Sequence, residues 1–257
     1  MLRNKRGRLI SDVDTWPRPK RDYQWKAGRS AMELARSWFR GETLACPSEL
    51  LALLESHDLT RGCTLVGGQP EFVTPLPERG EGRNHDLWLT GTCAMGGLTI
   101  CVEAKADEQF GERIGDAIDA ARRRTPQSGM PARAKALLEL LLGRPADPEH
   151  EPWCALRYQL LTGIAGTAIQ AVVDDSAVAA FVVQEFCGAD TSAALQQQND
   201  GDLNGFMQAV FPAMQPLNTG RLSGPITLAV GSHLLQPVQV LVGKIRSEIP
   251  TSRNTSR

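Results

Sequence analysis

"HDLWLTGTCAMGGLTICVEAKADEQFG", His85 to Gly111, decides how the chain is read. Two apolar-alternating runs flank a small-residue segment containing Gly96 and Gly97, which is the pattern of a β-hairpin. A strand sends successive side chains to opposite faces, so Leu98, Ile100, Val102 and Ala104 share one side. Thr99, Cys101, Glu103 and Lys105 share the other. With the turn centred on Met95 and Gly96, Asp86 falls opposite Lys105 and Trp88 opposite Glu103, and Asp86 lies diagonal to Glu103 on one face. Two carboxylates and an ammonium at a hairpin's end make the composition of a hard divalent-metal site with a cation beside it. The three are expected at the open end of a central sheet rather than beneath a packed helix.

Upstream of the hairpin, "GRSAMELARSWFRG" and "CPSELLALLESHDL" have the apolar spacing of helices. "CTLVGG" and "EFVTPL" read as two short strands, followed by the polar loop "PERGEGRN". Downstream, "DEQFGERIGDAIDAARRRT" reads as a helix leaving the site directly, with acids first and arginines last to complement its dipole. "PARAKALLELLLG" and the long apolar "EPWCALRYQLLTGIAGTAIQAVV" are further helices, and "AVAAFVVQEF" has the continuous apolar content of a central strand. A short helix around "LNGFMQAVF" and strands "PITLAV" and "VQVLVGKI" complete the order. The expected architecture is an α/β sandwich around a mixed sheet, with residues 1–25 a loosely attached basic arm, 26–245 one domain and 246–257 a polar tail.

The 257 residues, 42% hydrophobic, suffice for one large core. A net charge of −1 gives no global attraction to nucleic acid or to an acidic membrane, so any such attraction has to be local. The six cysteines show no metal-ligand spacing and read as small buried hydrophobes in a reducing cytoplasm. The longest apolar stretch, "LLTGIAGTAIQAVV", is too short to cross a bilayer. There is no Gly-rich phosphate loop, HxxxH or GxSxG, which leaves nucleotide-binding, zinc-peptidase and serine-hydrolase readings without motifs.

Asp86, a hairpin and then Glu103-Ala104-Lys105, set in the order helix, three strands, helix, strand, resemble the PD-(D/E)XK nuclease superfamily, the restriction-endonuclease-like fold. "WKAGRSAMELARSWF", "NHDLWL", "VEAKADEQFG" and "RYQLLTGIAG" extend the likeness, to an uncharacterised bacterial family within that superfamily, across residues 25 to 187. His85 stands where the motif has its proline. The lysine is distinctive. Among six lysines and twenty-two arginines, only Lys105 has an acid two places before it, and a compact ammonium differs from a guanidinium fork.

The resemblance implies Mg²⁺- or Mn²⁺-dependent hydrolysis of phosphodiesters in nucleic acid, DNA ahead of RNA, by a cytoplasmic hydrolase for which a homodimer is compatible and a membrane is not. Asp86 and Glu103 would hold the metal and Lys105 the nucleophile and the transition state. Glu71 is preferred over Glu55 as an additional acid. Arg157 and Gln159, polar in an apolar helix, are expected to face the substrate or the site's carboxylates, with backbone partners as the alternative. His85 is read as structural. The Arg122–Arg124 run is read as a dipole partner that could also track a phosphate backbone. Substitution of Glu103 or Lys105 is expected to leave folding nearly intact. The competing reading is a catalytically silent nucleic-acid-binding or protein-interaction module on the same fold.

Overall fold

The apolar run after Asp175 forms the central strand of the sheet because both of its faces are covered. In the computed structural model, which describes residues 1–19, 22–41, 43–231 and 233–250, strand Ser176–Cys187 is buried along nearly its whole length. In chain order the elements are α1 (Ser30–Ser37), α2 (Ser48–Glu55), β1 (Thr64–Thr74), β2 (Arg83–Cys93), β3 (Gly96–Lys105), α3 (Ile114–Arg124), α4 (Met130–Leu142), α5 (Tyr158–Val173), β4 (Ser176–Cys187), α6 (Ala193–Val210), β5 (Leu222–Leu228) and β6 (Val238–Glu248).

The strands form one six-stranded mixed sheet in the order β1-β2-β3-β4-β6-β5. β3, β4 and β6 run parallel, and the remaining pairs are antiparallel. Helices cover both faces. Leu34, Leu50, Leu53 and Leu54 of α1 and α2 pack on the face carrying Leu98, Ile100 and Val102. Ile114, Leu137, Leu161 and Phe206, from α3 to α6, pack on the face carrying Phe181 and Val183. Gly163 lets α5 lie close on β4: a Cβ there would stand 2.6 Å from the Phe181 ring.

Several expectations change. The two short strands before the hairpin are one, β1, with a register shift between Leu65 and Gly67. The segment after Lys105 does not enter a helix directly; α3 starts at Ile114. The expected short helix is the 18-residue α6, with Gly201 and Gly205 inside it. Its weak intrinsic propensity is overridden by burial of Asn199, Leu203, Phe206, Met207 and Val210 on one stripe, and by Ser192 capping the Leu195 N–H. The basic arm is docked: Leu2, Ile10 and Trp16 are buried in the α1–α2 core, and Leu2 bridges to Gly68 of β1. β6 carries strand structure to Glu248, into the expected tail, while residues 251–257 lie outside the described chain. Lys20 and Arg21 of the arm also lie outside it. All six cysteines are free, but only Cys101 is buried; the other five are partly exposed.

Candidate active site

The hairpin turns one residue earlier than the glycines suggest, which slides the pairing of its strands by two. Cys93 pairs with Gly96, so Ala94 and Met95 form the loop, and Trp88 pairs with Cys101 rather than Glu103. A slide of two residues preserves which face each side chain takes, whereas a slide of one would invert it. Glu103 and Lys105 therefore remain on one face, the face beneath α5, and both are buried, at 1% and 4% exposure. The expected open position is not found for these two.

The β2–β3 ladder ends at Leu87 and Val102, and Asp86 lies at the split. Its Oδ2 accepts the Ala104 N–H at 2.7 Å. A strand's N–H lies in the sheet, so this bond holds the Asp86 carboxylate at the seam between the faces, against the residue that separates Glu103 from Lys105. On the neighbouring strand Glu71 falls between the pairs Pro70–Leu87 and Phe72–His85, at the position facing Asp86. Its φ of 53° is left-handed, and Oε2 accepts from Asn84 Nδ2 at 2.6 Å. Glu55, the competing acid, is exposed at the end of α2 and bonds the Gly62 N–H.

Glu103 is held by three side chains. Lys105 Nζ and Gln159 Nε2 donate to Oε1, at 2.6 and 2.5 Å, and the Arg83 guanidinium pairs with Oε2. Burial alone would raise the Glu103 pKa, but Arg83, Lys105 and Gln159 outweigh it and hold the carboxyl below its ordinary range. Asp86 has the opposite balance. Burial and the neighbouring Glu103 charge push it well above the ordinary aspartate range, against Lys105 and the Ala104 N–H. Glu71 is also raised, by burial first and by Glu103. Lys105 lies against the Phe110 ring, 5.3 Å from its centroid.

Two clefts meet at the start of β2 and share Glu81, Gly82 and Asn84. The larger, about 690 Å³, carries Glu71 and Asp86 opposite Lys5 and Arg18 of the N-terminal segment. The smaller, about 430 Å³, lies between α3, α4 and α5 and is lined by Arg83, Arg124, Tyr158 and Gln159. Gly82 lets this segment pass against β1, since a Cβ there would stand 2.4 Å from the Thr74 carbonyl oxygen.

Gln159 is thus brought to Glu103, and its Oε1 also accepts the Gly111 N–H at 3.1 Å. Arg157 is not brought there. It bonds Asp202 and the Gly111 carbonyl, both at 2.9 Å, and ties the start of α5 to α6 and the loop after β3. Of the arginine run, Arg122 pairs with Glu149, whereas Arg124 lines the smaller cleft. His85 is fully buried under α5, its pKa lowered well below the ordinary value by burial and by Arg83. A Cβ on Gly166 of α5 would stand 3.3 Å from its Nε2. The residue missed by sequence reasoning is Arg83. The only signal for it is its place three residues before Asp86, and its role depends on where β2 and β3 part.

Among the described residues no group of three or more His, Cys, Asp or Glu stands close enough to hold a metal ion. The oxygen-only donors Asp86 and Glu71, raised in pKa by burial and by the neighbouring Glu103 charge, suit a hard cation in chemistry. Glu103 Oε2 is taken by Arg83, and its Oε1 by Lys105 and Gln159.

The fold and this acid-lysine strand end define a mixed α/β protein with a six-stranded central sheet flanked by helices. The chain belongs to the family described as "Domain of unknown function (DUF6946)", whose model matches residues 10–248. No curated protein and no solved structure matches it. Among the described residues no helix is long and apolar enough to cross a membrane.

Proposed function

We propose that the protein hydrolyses phosphodiester bonds of nucleic acid, DNA in preference to RNA, with a divalent metal, on a restriction-endonuclease-like core. The order α2-β1-β2-β3-α3-α4-α5-β4, with three helices between β3 and β4, of which α5 packs on the central strands, supports the fold half of this reading. The observation that carries the chemical half is the bond from the Ala104 N–H to Asp86, which gathers Asp86, Glu103 and Lys105 at one strand end.

Asp86 and Glu71 would hold Mg²⁺ or Mn²⁺, with Glu103 as a further ligand once Oε2 is released. Bound there, the metal supplies an acidified water and neutralises phosphate charge. Lys105 is fixed by Glu103 and Phe110 and offers a localised positive charge where negative charge develops on the phosphoryl oxygens. Gln159 orients Glu103 from α5. The burial around Glu103 and Lys105 keeps bulk water from weakening these interactions.

The silent-module reading has one observation in its favour: Glu103 is already charge-compensated by Arg83 and Lys105 without a metal. Incubation of the purified protein with mixed DNA and RNA substrates in Mg²⁺, Mn²⁺ or EDTA separates the two. Cleavage that needs the metal and disappears in Lys105→Ala, while calorimetry shows most Mn²⁺ binding kept, supports hydrolysis. Intact substrate under every metal, with nucleic acid still bound, supports the silent module.

A further inference from the structure

Arg83 is nine-tenths buried, pairs through one terminal nitrogen with Glu103, and leaves its Nε buried with no hydrogen-bond partner. A buried guanidinium nitrogen without an acceptor is costly, and such groups are normally satisfied. The side chain lines the smaller cleft, where Arg124, exposed at the end of α3, makes no ion pair among the described residues. The third arginine of that cleft, Arg133, is spent on the Pro77, Glu78 and Glu81 carbonyls. Two arginines with donors to spare face one cavity, which Gln159, Thr162 and the acids Glu81 and Glu112 also line.

We propose that this cleft binds a phosphate group through Arg83 and Arg124, and that Arg83 is shared between that anion and Glu103. An anion in the cleft offers Arg83 the acceptors that its Nε lacks and draws the guanidinium off Glu103 Oε2. Glu103 then regains an open oxygen beside Asp86. Anion and cation binding are thereby coupled with positive sign, and each must tighten the other by the same factor. The anion site stands without the proposed function; the coupling to a metal rests on it.

The test uses the full chain with two probes. Metal-free, inorganic phosphate is followed by ³¹P line broadening; Mn²⁺ is followed by electron paramagnetic resonance with and without a thymidine dinucleotide. Wild type is expected to bind phosphate, Arg83→Met to lose at least tenfold in that affinity, and the exposed Arg124→Ala to lose several-fold with an unchanged melting curve. Arg83→Met is expected to bind Mn²⁺ more tightly than wild type and to lose the dinucleotide's effect, which in wild type falls in the roughly 5–150-fold range of such couplings. Phosphate binding that is absent from wild type, or equal in all three proteins, overturns the anion site even if nucleic acid is cut. Phosphate binding through both arginines with no Mn²⁺ bound by any variant keeps the anion site and overturns the coupling and the metal reading together. Mn²⁺ bound equally by wild type and Arg83→Met, with or without the dinucleotide, overturns the coupling alone.

Discussion

Two acid-lysine-arginine clusters stand side by side on the α5–α6 face of the sheet, and they are built differently. In one, Glu103 meets Lys105 and Arg83, two cations on a single carboxylate, with Asp86 at the seam. In the other, Glu185 of β4 meets Lys244 at 2.8 Å and Arg246 at 3.1 Å, and Asp200 of α6 pairs with the same two cations. Lys105 and Glu185 are register partners, so the clusters adjoin. The second balances two acids against two cations and opens to water through Arg246 and Asp200, which are 43% and 36% exposed. The first is enclosed, leaves Arg83 Nε and both His85 ring nitrogens without partners, and raises Asp86. Both clusters count two acids and two cations; what sets the first apart is its unpartnered buried nitrogens and a raised carboxyl, whereas in the second every charge is paired and α6 is braced.

The comparison breaks most readily at Glu103. Glu103→Ala leaves Arg83 and Lys105 buried without their shared acid and should cost about 3–5 kcal/mol. In a chain of this size that is a fall of roughly 10 °C in the unfolding midpoint. This revises the expectation from sequence that the position is dispensable for folding. Glu185→Ala should cost less, about 1–3 kcal/mol, because Asp200 remains to both cations. Chemical denaturation of both variants reverses or upholds that ranking.

A smaller effect carries its sign in pH. Asp86 is raised, so the folded state holds its proton more tightly than the unfolded chain, and stability falls as pH rises from the ordinary value of 3.8 toward the folded pKa. Glu103 is lowered, so its contribution is present above the ordinary 4.5 and is lost as pH falls through the folded pKa. Asp86→Asn should therefore raise the midpoint at pH 7 and lose that advantage below about pH 4. A midpoint lowered at pH 7 by this variant would show that the Asp86 charge is already satisfied. The smallest effect is expected at the exposed end of the second cluster, where Arg246→Ala should change stability by less than about 1 kcal/mol.

Alternation in the hairpin was enough to place Glu103 beside Lys105 and away from the Leu98–Val102 stripe, because one apolar face admits only one parity. It was not enough to fix the turn. A period-2 pattern survives a two-residue slide unchanged, and Gly96 and Gly97 suit either loop. The role of Arg83 and the seam position of Asp86 escaped for a related reason: the end of a ladder is set by what packs on it, here α5 on one side and the N-terminal segment on the other. The docking of that segment rests on Leu2, Ile10 and Trp16, spaced with no helix or strand period. Arg157 and Gln159 stand two apart at the start of α5, and nothing in the sequence tells which turns toward Glu103.

The sheet's two outer strands have a bearing on how copies of the chain can meet. β1 carries Pro70 followed by the left-handed Glu71, and Leu2 bridges to its Gly68. β5 carries Gly224, at φ 136°, followed by Pro225, and its ladder to β6 shifts between Ser223 and Ile226. A proline offers no N–H to an incoming strand, and a kinked edge presents no flat row of donors and acceptors. Both margins are therefore poor templates for strand addition, so stacking edge to edge into longer sheets is discouraged, and a homodimer would have to form through the helical layers.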